Sequence, residues 1–284
     1  MRRRALGVGV VVWLVSLTAH PVCAQVSLAV ERAEYLRWLA SSPTSPLAAV
    51  ALQPIGTGLR LGPADADVPL PGAGGYRVLT RPGGVRLEGP SGSRILPRGA
   101  PVKLGDYTLA VDGPAGREVL TVFGPSRPST STRYYGPSWS YVFVGPLAPP
   151  DRQGTSRVLG MDGIEVEAAE AGSVLVPIGA ARVRLRVLRM PLPGGEESEL
   201  EIFFRDETNG HGTYPAGRFV SLVPTGAGRY RLDFNRARNP YCAYSSAYPC
   251  PAPWRGNTIP AAVTAGERYD GGGLSAPPRT PGTR

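Results

Sequence analysis

Short apolar runs bounded by glycine and proline recur from about residue 48 to residue 234, and a single segment before them has helical spacing. Leu28, Arg32, Tyr35, Leu36 and Leu39 follow Ser27 at that spacing, and Pro43 stops the run, which predicts one helix. Strands are then expected around Ala48–Leu52, Arg77–Leu79, Gly84–Leu87, Lys103–Val111 and Glu118–Phe123. A Pro/Ser/Thr stretch from Pro125 to Thr132 reads as a linker, a second unit runs from near Tyr134 to about Tyr269, and the tail from Gly271 has the composition of a disordered segment. The expected fold class is mainly β, with one N-terminal helix followed by two β-sandwich-like units. Four segments result: 1–24, 25–131, 132–270 and 271–284.

Two hairpins are legible in the second unit. Arg182 to Val187 alternates with period two, placing its arginines on one face and Val183, Leu185 and Val187 on the other. Glu199-Leu200-Glu201-Ile202 alternates likewise beyond a turn at Pro191–Gly195. A register that sets Arg186 opposite Glu199 and Arg184 opposite Glu201 also sets Leu185 opposite Leu200 and Val183 opposite Ile202, satisfying both faces. The basic run therefore reads as a solvated ion-pair face, each pair contributing about 0.2–1 kcal/mol. The second hairpin joins Phe219–Val223 to Tyr230–Phe234, with Tyr230, Leu232 and Phe234 facing one way and Arg231, Asp233 and Asn235 the other.

The N-terminus changes the picture by setting a compartment. Arg2, Arg3 and Arg4 precede an uncharged apolar stretch from Ala5 to Ala19, and Val22-Cys23-Ala24 offers a cleavage site before Gln25. The stretch is short for a bilayer span, which takes about 20 residues, so a cleaved export signal is expected, periplasmic or secreted, with no stable membrane span after processing. A lipid anchor on Cys23 is the alternative, which Pro21 and Val22 suit poorly. The full chain carries +9; without residues 1–24 it holds 28 basic and 22 acidic residues, +6, scattered and without a basic–aromatic stripe. Nucleic acid is an unexpected partner for such a surface. His211 is then the single remaining histidine, and Cys242 and Cys250 the remaining cysteines, which in an exported chain predict a disulfide. Closing so short a loop contributes somewhat under about 3 kcal/mol.

The densest chemistry lies between Phe203 and Glu267. Asp206-Glu207-Thr208-Asn209-Gly210 leads to Thr213-Tyr214 and Gly217-Arg218, followed by Asp233-Phe234-Asn235-Arg236-Ala237-Arg238-Asn239-Pro240-Tyr241-Cys242-Ala243-Tyr244, then Cys250-Pro251 and Ala265-Gly266-Glu267. In these blocks the chain resembles the bacterial family known as domain of unknown function 1684, whose signature D-x-T-x-G-x-x-T-Y-x-x-G-R, D-F-N-R-A-x-N-P-x-C-A-Y, C-P and A-G-E occurs here in order. The resemblance extends over roughly residues 30–270, is diffuse before residue 155, and departs at Trp254-Arg255-Gly256, where the family commonly has a further proline and acid. It implies no activity. The first unit also resembles, faintly, a forkhead-associated β-sandwich, through Arg60-Leu61-Gly62, Asp65–Leu70 and Leu104–Leu109, without the serine and histidine of phosphopeptide reading.

Several chemistries fall away. His211 sits in an Asn-Gly-His-Gly turn, which favours solvation over a catalytic triad. No His-Glu-x-x-His, Cys-x-x-Cys or phosphate-binding glycine loop occurs, so no cofactor or metal is expected. What remains is a carboxylate, amide and guanidinium set, with Asp206, Thr208, Tyr214, Arg218, Asp233, Asn235, Asn239, Asn257 and Glu267 as candidate ligand-binding residues. Arg218 could clamp an anion, or pair with Asp233 across the second hairpin as part of the fold. The leading expectation is a polar pocket binding a small polar ligand or cell-wall fragment. The alternatives are a carboxylate-dependent hydrolase using Asp233 and Glu267 and a structural envelope protein with no site.

Overall fold

The computed structural model describes residues 27–125, 132–192 and 197–271. The expected export signal, most of the expected linker and most of the tail lie outside the described residues. The fold is mainly β with one N-terminal α-helix. Helix α1 (Leu28–Ser41) begins where Ser27 Oγ accepts from Val30 N at 3.3 Å, capping the first turn, and ends before Pro43.

The first β unit contains β1 (Ala49–Pro54), β2 (Leu59–Gly62), β3 (Val68–Pro69), β4 (Tyr76–Arg81) and β5 (Gly84–Gly89). It continues with β6 (Gly92–Ile95), β7 (Val102–Leu104), β8 (Tyr107–Asp112) and β9 (Val119–Phe123). The expected Lys103–Val111 run is two strands. Gly105 takes φ +57°, a left-handed turn conformation open to glycine, and folds β7 back on β8. Strands β1-β9-β8-β7 form one sheet and β3-β2-β4-β5-β6 another. Leu61, Val78 and Leu87 from the second meet Leu109, Leu120 and Val122 from the first in one core, which makes this unit a sandwich.

The second β unit reaches a layered core with a single sheet. Its strands are β10 (Val142–Pro146), β11 (Thr155–Leu159), β12 (Glu165–Ile178), β13 (Ala181–Pro191), β14 (Ser198–Phe204), β15 (Arg218–Gly226) and β16 (Arg229–Asp233), in the order β10-β16-β15-β14-β13-β12-β11. Ala148, just beyond β10, exchanges two 2.9 Å backbone hydrogen bonds with Ser173 on β12. The sheet thereby curls until its opposite ends meet. Val176, Leu185, Ile202, Phe204, Leu222 and Phe234 fill the interior, and Ile259, Val263 and Ala265 from the C-terminal coil complete it.

The second hairpin pairs Leu222 with Leu232, and Leu232 and Phe234 face the core as expected. The first is a correction. Leu188 stands opposite Glu201, Arg189 opposite Leu200 and Met190 opposite Glu199, a slide of four residues along β13 from the expected register. An even slide keeps each side chain on its face, so Leu185 and Ile202 still point inward while every cross-strand partner changes. The arginines pair with β12 instead: Arg186 opposes Ser173, and its Nε donates to Glu170 at 2.5 Å. Below them the same face turns apolar, where Leu188, Met190, Phe203, Phe219 and Trp254 form a second small core. Glu201 is consequently buried there, not solvated.

Helix α1 packs on the second unit. Tyr35 and Leu39 cluster with Ala243 and Tyr244, and Arg32 donates to the carbonyls of Tyr135 and Asn235 at 3.1 and 2.8 Å.

Candidate functional site

The motif residues assemble into a filled polar network. Asp206 and Arg218, both fully buried, form an ion pair at 2.8 Å. The other Asp206 oxygen accepts from Thr208 N, Thr208 Oγ1 and Val263 N at 2.9, 2.6 and 3.1 Å. The Asp-x-Thr spacing is thus a turn in which a carboxylate binds its own backbone two residues on. The terminal nitrogens of Arg218 also donate to the carbonyls of Val263, Ala265 and Glu267, tying β15 to the C-terminal coil.

The expected Arg218–Asp233 pair does not form. Asp233 takes Arg231 at 2.9 Å and Arg236 at 3.4 Å, and its other oxygen accepts from Asn235, capping the short turn Phe234–Arg236. The amide of Asn235 in turn exchanges bonds with both backbone groups of Ser138 at 2.9 Å. Glu267 is buried between the Tyr244 hydroxyl and the Asn239 N–H, the latter at 2.8 Å. Burial pushes its carboxyl up to about 7 against those two donors. Gly266 makes this approach possible. It adopts φ +74°, and a Cβ there would lie 2.7 Å from the carbonyl oxygens of Phe234 and Ala237. Asn257 mimics a strand: its amide binds N and O of Arg186 at 2.7 and 2.9 Å and the Phe203 carbonyl at 3.0 Å, stapling β13 to β14 beyond the end of their ladder.

The polar pocket expected from these residues is therefore a solid structural junction. Asp206, Thr208, Arg218, Asn239 and Glu267 are brought together; Asp233 with Asn235, and Asn257, sit at separate joints; Tyr214 lies beside the cysteines. None of the nine lines a described cavity. Asp233 in its ion pairs and Glu267 in its closed pocket do not face a common cleft, which removes the expected hydrolytic pair.

A cavity of about 520 Å³ opens elsewhere, between the loop after β8 and the outer face of β13, β14 and β15. Glu199 and Glu201 line it from alternate positions of β14, and Asp162 from the turn before β12. Glu201 is buried and Glu199 half-buried beside it, accepting from Ser221 Oγ at 3.4 Å, and no cation pairs with Glu199, Glu201 or Asp162 among the described residues. Burial pushes Glu201 up to about 8, with the Glu199 charge adding to it, and burial pushes Asp162 up to about 6. Arg236 and Arg238 also line it, with Tyr241. Both arginines are held by Glu31 of helix α1, Arg238 at 3.1 Å and its guanidinium 4.3 Å over the Tyr35 ring. Asp162, Glu199, Glu201 and Arg238 all act on the Tyr241 hydroxyl, so these groups share one electrostatic environment. Met190, Ile164 and Phe219 supply apolar wall. Among the described residues no cluster of three or more histidine, cysteine or carboxylate side chains is arranged to hold a metal ion.

Sequence reasoning missed Asp162, Glu199 and Glu201. The alternation of β14 matched an exposed face, and nothing local signalled that another loop covers it. Arg236, Arg238 and Tyr241 lay inside the recognised motif, where neighbouring charges drew attention first.

Cys242 and Cys250 are unbonded, so the expected disulfide is absent from the structure. The Tyr214 hydroxyl stands between the two residues, donating to the Cys242 carbonyl at 3.1 Å and lying 3.3 Å from Cys250 Sγ.

No curated protein matches the chain. The solution NMR structure of an uncharacterized protein from Haloarcula marismortui is similar at 29% identity, over 50% of this chain and 78% of that one, with a TM-score of 0.43. Residues 130–268 match the family described as "Protein of unknown function (DUF1684)". The match takes in every motif block assembled above, and by it the second β unit of this chain belongs to that family.

Proposed function

We propose that this is an exported protein that binds a small polar ligand in the cavity lined by Glu199, Glu201, Asp162, Arg236, Arg238 and Tyr241. The observation that carries the reading is the Glu201 carboxyl, buried in the cavity wall with Glu199 beside it and no cation paired to it among the described residues. Burying a carboxyl next to a second one opposes folding, and a scaffold gains nothing from it. Perturbed carboxyls in a cleft are a marker of function. The ligand that complements them presents hydroxyl or amine donors to the carboxyl floor and an apolar ring face to Tyr241, Phe219 and Met190. A saccharide of the kind found in cell walls has that chemistry. The N-terminal arginines and apolar stretch support export.

The test is calorimetric titration of the chain lacking residues 1–24 with glucosamine oligomers and, separately, neutral glucose oligomers. Binding is expected, with at least about tenfold weaker affinity for Glu201→Gln, a loss of about 1.4 kcal/mol. Silence toward both sugars would remove the saccharide assignment. A Glu201→Gln protein less stable than the parent would make the carboxyl structural and remove the site itself.

The same pair supports a second reading. Two carboxyls sharing a proton can activate a water held between them. The reaction would be water attack on an amide or ester. Release of product from the bound ligand, abolished by Glu199→Gln, is its signature.

A further inference from the structure

The two cysteines carry an inference independent of the cavity. They differ sharply in setting: Cys242 is buried in the short turn after Pro240, and Cys250 is exposed eight residues on. The Tyr214 hydroxyl reaches both residues, donating to the Cys242 carbonyl at 3.1 Å and standing 3.3 Å from Cys250 Sγ. A disulfide serving packing alone has no need of an exposed sulfur with a hydroxyl held against it.

We propose that Cys250 and Cys242 form a reversible dithiol couple that exchanges with solvent-borne disulfides, Cys250 entering first, Cys242 resolving, and Tyr214 positioning the entering sulfur. The Cys250 thiolate attacks one sulfur of a disulfide R–S–S–R, forming a mixed disulfide and releasing one RS⁻. Cys242 then loses its proton to solvent and attacks Cys250 Sγ, releasing the second RS⁻ and closing the Cys242–Cys250 bond. The protein loses two electrons and the disulfide gains them, and each RS⁻ takes up a proton from water. The setting fits the roles. The neighbouring Cys242 thiol, with the Tyr214 hydroxyl beside the sulfur, brings Cys250 down to about 6 against partial burial. The hydrogen bond to Cys250 and burial push Cys242 above the ordinary thiol range. The entering sulfur is thus largely thiolate at neutral pH, and the resolving thiol waits. When Cys250 ionises, the Tyr214 hydroxyl can turn from the Cys242 carbonyl to the sulfur, so the anion does not lose a donor.

The experiment uses the chain lacking residues 1–24, first fully reduced. Its thiolate absorbance is titrated with pH, and the protein is then exposed to glutathione disulfide and resolved by intact mass. The expected midpoint is about 6 for Cys250, rising by about one unit or more in Cys242→Ser and by less in Tyr214→Phe. Glutathione disulfide should convert the parent to the internal disulfide, reversibly with reduced glutathione, and leave Cys242→Ser as a lasting mixed disulfide on Cys250. A parent midpoint in the ordinary thiol range near 8.5, or a lasting glutathione adduct on the parent, would overturn the couple. The titration of the parent needs no variant, so a folding defect in Cys242→Ser does not blunt it.

Discussion

Two regions of the second β unit treat buried charge in opposite ways. Around Arg218, burial is compensated almost atom for atom. Asp206 has a guanidinium and three further donors, Arg218 has three carbonyls besides, and only Arg218 Nε and Asn239 Oδ1 lack a partner there. Around Glu201, burial is left uncompensated: a second carboxyl stands beside it, and the arginines lining the cavity are engaged elsewhere, Arg236 and Arg238 by Glu31, Arg98 by Glu118 and Arg117 by Glu165. The first arrangement joins distant segments. The second weakens the fold and leaves donors to be supplied from outside. Motif density thus marks the joint, and unsatisfied charge marks the candidate site.

Breaking the joint should have the largest effect. Arg218→Met strands the Asp206 carboxylate and three carbonyls, and is expected to cost about 3–5 kcal/mol in urea unfolding. Loss under about 1 kcal/mol would erase the contrast between the regions. Asn257→Ala removes three hydrogen bonds between β13 and β14 and leaves their backbone partners buried, for an expected loss of about 2–3 kcal/mol.

The opposite sign is expected in the cavity. Folded Glu201 holds its proton to about pH 8, whereas the unfolded chain releases it near 4.5. Between those values the folded state binds more protons, so stability falls as pH rises through the window. Glu201→Gln should therefore stabilise the protein by about 1–3 kcal/mol at pH 8.5 and flatten that slope, with little change below pH 4.5. Thermal melts across pH 4–9 measure it, and a slope unaltered by the substitution would dissolve the distinction drawn here. Smallest of all, Arg186→Ala breaks a half-exposed pair with Glu170 and should cost about 0.2–1 kcal/mol, shrinking with salt.

Much of this was legible from residues 27 to 271. Ser27 and Pro43 bracket the helix, glycine and proline mark most of the strand ends, and the inward apolar faces of β13 to β16 follow the period of two, while Leu188, Met190 and Glu201 bury part of the face expected to be solvated. The first-hairpin register was not legible, because an even slide leaves both faces satisfied. Its choice rested on Leu188 and Met190, which read as a continuation of the apolar pattern and in fact begin a second core against Phe203 and Phe219. The partner of Arg218 was equally hidden. Asp206 and Asp233 are both near it along the chain or across a hairpin, and the C-terminal coil, which donates to Asp206 through Val263 N and lays three carbonyls on Arg218, comes from 45 or more residues away.

Local periodicity, capping and turn residues act over a few positions, so the sequence alone determined the helix, the strand-rich class, the inward faces and the motif blocks that identify the second unit. Burial of a particular carboxyl depends on what another segment lays over it. Only the tertiary structure could place the loop after β8 above Glu199 and Glu201, seat helix α1 so that Glu31 holds Arg236 and Arg238, and bring Tyr214 to the two sulfurs. Charge compensation is a property of that three-dimensional neighbourhood, and so is the site.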